Sequence, residues 1–198
     1  MYNISTMTPL TRTMLIGLVV CLLSTGCAKR TSTTASAPPA PLATASVRTV
    51  PAPPPERPAG SCKSANGFPD PTCTPGEIDP SVTQSNIKTT ICVAGYTAKV
   101  RPPVSYTDAL KIQQIREYGY TDTSVADYEE DHFIPLELGG DPTDPKNLWP
   151  EFPHSPNPKD SVEDKLKRLV CANKLPLADA QRLIRTNWTT ALQNATKK

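Results

Sequence analysis

Four things are scarce in this sequence, and each scarcity removes a class of protein. It has no CxxC pair, and the spacings of Cys62, Cys73, Cys92 and Cys171 match no common zinc site, which leaves zinc the weaker reading of those cysteines. It has no surplus of positive charge where a domain would form. Residues 61–198 carry 16 Lys and Arg against 18 Asp and Glu, so the chain's net +2 comes from its N-terminal part and announces no strongly basic nucleic-acid face. It has one long apolar run, residues 14–23, which is short for a transmembrane helix, and no second run follows. It has two histidines, so imidazole chemistry falls on His132 or His154. No internal repeat is visible.

What is present divides the chain into three parts. Arg12 followed by the apolar run reads as an export signal. The run ends in Leu23-Ser24-Thr25-Gly26-Cys27, which resembles a bacterial lipobox and departs from it at Ser24. The resemblance implies cleavage before Cys27, acylation of that cysteine and a membrane anchor in the cell envelope, facing the periplasm or exterior. The competing reading is ordinary cleavage without a lipid. Residues 28–60 are rich in Ala, Pro, Ser and Thr, as in Ala37-Pro38-Pro39-Ala40-Pro41, and read as an extended tether. Residues 61–198 are then one domain.

An exported domain meets an oxidising compartment, so its four cysteines are expected to form two disulfides. Three pairings exist; the favoured one is Cys62–Cys73, closing a short loop, with Cys92–Cys171 clamping the start of the domain to a C-terminal helix. Asp79-Pro80 reads as a helix start, with Val82, Ile87 and Ile91 inward. Tyr96 to Val100 reads as a strand stopped by Pro102-Pro103. Ser105 or Thr107 is expected to cap a helix through Leu110 and Ile115 that Gly119 ends. Asn157-Pro158-Lys159-Asp160 is a strong helix start, and Val162, Leu166, Leu169 and Val170 keep helical spacing behind it. A last helix is expected from Leu177 to Trp188, with Ala180, Leu183, Ile184 and Trp188 inward. Acidic residues crowd between Glu117 and Glu151, ten against the single Lys146, and basic ones prevail from Lys159 onward. That split suggests an acidic pocket beside a basic flank; a solvated acidic loop is the plainer alternative.

Between the two halves lie Asp131-His132-Phe133-Ile134-Pro135, the turn residues Gly139-Gly140, Asn147-Leu148 before a second extended segment, and the helix from Asn157. In this order they resemble the HNH, or His-Me finger, nucleases over about residues 128–171. The resemblance implies an α+β, mainly helical small domain, stapled by disulfides around a ββα-metal hairpin-plus-helix core. It further implies a metal-dependent endonuclease acting on DNA or RNA. His132 would be the general base on water, Asn147 the residue bracing the loop that holds it, and Asp131 a ligand to a divalent cation, most simply Mg²⁺. In an ideal strand Asp131 points away from His132, so the shared site requires irregular backbone.

The family's second histidine is not evident at its usual spacing. Asp160 and Glu163, on one face of the helix's first turns, are favoured in its place over His154 and Asn157. The competing reading is that Asp160 only caps the helix and Glu163 pairs with Lys167 at i+4. Arg168, Arg182 and Arg185 are candidate phosphate contacts, though ordinary helix-surface roles suit them better; Trp149 is expected in the core. No obligate protein partner is implied. A non-catalytic envelope lipoprotein that keeps the fold as a binding module is the second functional hypothesis, and hydrolysis of some other phosphoester the third.

Overall fold

The computed structural model describes residue 50 and residues 52–197; the expected signal, Cys27 and most of the tether lie outside the described residues. The described chain is α+β. Its order is a 3₁₀ turn at Gln84–Thr89, α1 (Tyr96–Val100), α2 (Val104–Glu117), a 3₁₀ turn at Val125–Asp127, β1 (Glu129–His132), a 3₁₀ turn at Leu136–Leu138, β2 (Leu148–Glu151), α3 (Pro158–Cys171) and α4 (Leu177–Ala195). Among the described residues no helix is long and apolar enough to cross a membrane.

The pair α3 and α4 forms the larger core. Val162, Leu166 and Val170 meet Leu177, Ala180, Leu183 and Ile184, with Val82, Ile87, Ile91, Ile134 and Leu138 closing the cluster. Both helices carry the apolar stripe that drives such packing. Asn157 caps α3, its side chain accepting from Lys159 N–H at 2.9 Å, and Pro158 occupies the first turn, where no N–H is needed. A second cluster holds Cys62, Cys73, Tyr118, Phe133 and Trp149. Both expected disulfides form, Cys62–Cys73 and Cys92–Cys171. The second joins the segment before α1 to the end of α3, so the N-terminal part of the domain is tied to the main core.

Strands β1 and β2 pair antiparallel, with Glu129 opposite Glu151 and His132 opposite Leu148. The connection between them turns at the two glycines. Gly139 has φ 75°, and at Gly140 a Cβ would stand 1.7 Å from the Ile134 carbonyl oxygen, so no other residue fits there. Asn147 fastens the connection from inside. Its Oδ1 accepts from Ile134 N–H at 2.8 Å, and its Nδ2 donates to the carbonyls of Ile134 and Asp141, both at 3.0 Å. Helix α2 lies against the sheet, with Gln114 Nε2 donating to Leu148 O at 2.9 Å.

Several expectations give way. Tyr96 to Val100 is helix α1, not a strand; only Tyr96, Thr97 and Val100 are part-buried, so no neighbouring strand supplies a ladder for it. Asp79 does not open a helix: its Oδ1 takes Ser81 N–H at 2.8 Å in a local turn, and regular turns begin only at Gln84. Val82, Ile87 and Ile91 are still buried as expected. Helix α2 begins after Pro103, whose extended backbone serves as the cap in place of Ser105 or Thr107, and Gly119, at φ 65°, follows its end. Helix α4 runs past Trp188 to Ala195, with non-helical backbone at Asn187 marking where the expected helix stops. The domain also starts before residue 61. Glu56 pairs with Arg116 at 2.6 Å, and Arg57 N–H donates to Glu117 Oε1 at 2.8 Å, so the end of the proline-rich stretch lies along α2.

Candidate functional site

A cavity of about 290 Å³ opens at the end of β1 against the start of α3. Asp131, His132, Asp160 and Glu163, four residues expected to share a site, all line it. Glu129, Glu137 and Asp164 line it too, so six carboxylates face one lining cation, Arg101. Asp131 and His132 reach the same cavity although they are strand neighbours, because His132 is the last residue of β1 and the chain leaves the strand there.

His132 is only 4% exposed. Its Nε2 lies 3.1 Å from the Pro142 carbonyl oxygen. A carbonyl only accepts, so Nε2 carries the proton and Nδ1 of the neutral ring holds a lone pair. Burial pushes the ring's pKa down to about 4, against the pull of Pro142 and Asp131; the charges of Arg101 and Lys159 add to the lowering. The imidazole is therefore unprotonated throughout the neutral range.

Asp131 Oδ2 accepts from Lys159 Nζ at 2.7 Å and Trp149 Nε1 at 3.3 Å. Lys159 is 1% exposed, and its ammonium is fully used: it also donates to Glu163 Oε1 at 2.5 Å and to the His132 carbonyl at 3.2 Å. Burial opposes its charge, but Asp131, Glu163 and Glu151 outweigh burial and hold the ammonium above the usual lysine range. The acids around it are less well served. Burial raises Glu163 to about 7 despite Lys159, and Asp131 repels it further. Burial and the nearby Asp131 raise Glu151 to about 9, while Asn157 Nδ2 donates to its Oε2 at 2.9 Å. Glu129 is raised by burial and by Asp131 and Asp160, and its Oε2 is buried with no hydrogen-bond partner. The site concentrates more negative charge than its cations neutralise.

The structure sorts the expected residues. Asn147 is fully buried, bonded to main chain and away from the cavity, so it braces the loop rather than meeting a substrate. Asp160 caps α3, its Oδ2 accepting from Asn157 N–H at 3.1 Å and Ser155 Oγ at 3.3 Å, while still lining the cavity. Glu163 does not pair with Lys167; it faces Lys159 one turn earlier, and Lys167 pairs with Glu137 at 3.4 Å. His154 is exposed in a loop. Arg168 and Arg182 pair with Asp164 and Asp179 at 3.9 and 3.1 Å, and Arg185 donates to Gly76 O at 2.6 Å, so none of the three lies at the cavity.

Lys159 and Glu151 were not singled out by sequence, whereas Glu129 and Glu130 extend the acidic cluster beside Asp131 and read there either as support for the site or as exposed residues. Lys159 had a usable signal: a cation in the first turn opposes the helix dipole, so it needs a dedicated anionic partner.

Fitting a divalent cation here is a matter of which oxygens are spent. Among the described residues no three His, Cys, Asp or Glu side chains are already gathered to hold a metal ion. The hydrogen bonds of the expected trio, however, fall on one oxygen of each carboxylate. Asp131 Oδ1, Asp160 Oδ1 and Glu163 Oε2 accept none from the described residues, and all three side chains line the cavity. They are hard oxygen donors of the kind a divalent cation takes, on residues that line one cavity without being gathered into a ligand set. Comparison with protein-family models, curated proteins and solved structures finds no match to this chain.

Proposed function

We propose that the domain is an HNH-type endonuclease that hydrolyses phosphodiester bonds of DNA or RNA in the bacterial cell envelope. The carrying observation is the His132 ring: with Nε2–H given to Pro142, its lone pair is on Nδ1, and the ring lines an acidic cavity. A neutral imidazole so oriented takes a proton from a water that attacks phosphorus. Asp131, Asp160 and Glu163 would hold Mg²⁺ through the oxygens their structural bonds leave open. When bound, that ion supplies positive charge against the developing charge on the phosphate and leaving oxygen. Lys159 fixes Asp131, Glu163 and the His132 carbonyl on one scaffold, and Asn147 holds the loop that follows the histidine. The two disulfides agree with an oxidising compartment outside the cytoplasm. We place the protein there as a lipoprotein held to the membrane through Cys27, which the lipobox-like sequence supports.

The test is cleavage of plasmid DNA and of RNA by the exported protein with Mg²⁺, with chelator, and after His132→Ala. Cleavage that needs Mg²⁺ and is lost in a folded His132→Ala variant supports the reading. Equal degradation by both proteins refutes the role of His132. One observation favours a second reading, a non-catalytic envelope module: Lys159 already neutralises Asp131 and Glu163 as a resident cation. A domain whose melting temperature Mg²⁺ leaves unchanged belongs to that class.

A further inference from the structure

The candidate cavity has a neighbour of about 240 Å³, lined by Lys111, Glu130 and His154 among others. The two share two lining residues, Arg101 and Glu129. Arg101 ends α1, its N–H donating to Thr97 O at 2.9 Å, and Pro102-Pro103 stiffen the chain directly behind it. Its position is thus set by the backbone, while the residue itself is exposed.

The other cations near these cavities are committed. Lys159 serves Asp131 and Glu163, and Lys167 serves Glu137; Lys111 donates to the Tyr128 carbonyl at 3.2 Å and lies 3.8 Å from Asp108. The Arg101 guanidinium has no hydrogen-bond or ion-pair partner among the described residues, although Glu129 lines the same two cavities. A planar guanidinium left free beside carboxylates is available to another anion, and its paired N–H groups match the two non-bridging oxygens of a phosphodiester. The acidic lining repels a polyanion, so a free cation at the junction of the two cavities is where a nucleic-acid strand can gain a hold.

We propose that Arg101 is a substrate-binding residue that grips a backbone phosphate of the nucleic-acid strand as it passes from the candidate cavity into the neighbouring one. This rests on the nuclease reading and adds to it the path of the strand and the residue that holds it.

The experiment measures binding of a fluorescent single-stranded oligonucleotide in Mg²⁺ by anisotropy, using His132→Ala protein so that the strand stays intact. Adding Arg101→Gln should weaken binding about tenfold or more, the scale of a charge-assisted contact. It should also reduce the slope of log affinity against log salt by about one. Arg101→Lys should restore the slope but not the full affinity. Arg182→Gln, which breaks a surface pair with Asp179 away from both cavities, should change neither. In the cleaving protein Arg101→Gln should raise KM more than it lowers kcat. Unchanged affinity and slope in Arg101→Gln, or equal losses in the Arg101→Gln and Arg182→Gln variants, overturns the assignment while leaving the nuclease reading intact. Failure of the wild-type protein to cleave, joined with no binding by the His132→Ala protein, overturns both.

Discussion

Lys159→Met is the sharpest perturbation the site offers. The residue is 1% exposed and its ammonium donates to Asp131, Glu163 and the His132 carbonyl at 2.7, 2.5 and 3.2 Å. Methionine conserves much of the side chain's volume, so little packing is lost, but two buried carboxylates lose their cation. Removing one partner of a buried ion pair costs about 3–5 kcal/mol, because the remaining charge stays desolvated. For a domain of this size that is a fall of roughly 10–15 °C in melting temperature. The gap from wild type should narrow as pH falls, since protonation lets Glu163, already raised by burial, stay buried without a counter-charge. Mg²⁺ should stabilise the variant more than the wild type, because the vacated carboxylates then need the ion. Thermal melts followed by circular dichroism at neutral and acid pH, with and without Mg²⁺, measure all three. A loss below about 1 kcal/mol, typical of exposed pairs, would mean that Lys159 is solvated and the wiring described here is wrong.

Three further outcomes are expected. Asn147→Ala should destabilise the domain by about 3 kcal/mol, since three main-chain groups lose their partners at once, and denaturant melts should record it; a loss within 0.5 kcal/mol, the usual surface range, would remove its bracing role. Stability should form a dome in pH. On the alkaline side Glu163 and Glu151 have raised pKa values, about 7 and about 9, so the native state binds more protons than the unfolded chain and stability falls as pH rises toward 9. On the acid side His132, lowered to about 4, is stabilising above its unfolded value near 6.5 and loses that contribution as pH falls through 4. Melts that stay level across the alkaline limb would contradict this balance. Finally, losing Cys92–Cys171, which spans 79 residues, should cost about 4.5 kcal/mol, and losing Cys62–Cys73, which spans 11, about 3 kcal/mol, by the loop-closure relation; the paired Cys→Ala variants give the ranking, and a reversed order would show that loop length does not govern it.

How legible the molecule was depended on whether a feature is local. Helix α3 could be read from Asn157, Pro158 and the spacing of its leucines, because capping and periodicity act within a few residues. Both disulfides match the favoured one of three pairings, among which the sequence alone does not decide. Asp131, His132, Asp160 and Glu163 were named and line one cavity. The wiring among them was not legible. That Glu163 faces Lys159 rather than Lys167 depends on how deep α3 sits against β1, a tertiary fact that i+4 spacing leaves two-fold ambiguous. Tyr96 to Val100 failed for a related reason: a short run of mixed residues takes its form from its neighbours, and no strand lies beside it. Arg101 was invisible because its significance lies in a guanidinium without a partner among the described residues.

The balance of charge links these points. A fold selected for stability alone would not bury Glu130 with both oxygens unpaired, leave Glu129 Oε2 orphaned, and hold Glu151 and Glu163 where burial resists their ionisation. Each is a cost, and the bonds that Asn157 gives Glu151 and Lys159 gives Glu163 offset it only in part. Stability has to come from elsewhere: from the α3–α4 core, and from a disulfide that ties the start of the domain to it. Lys159, the one buried cation among the described residues, relieves the crowding only in part, since Glu163 stays raised beside it. What remains is a standing negative potential next to an unprotonated imidazole. A cation entering from solvent would relieve that potential, and it would do so within the same cavity as the base that the proposed chemistry requires.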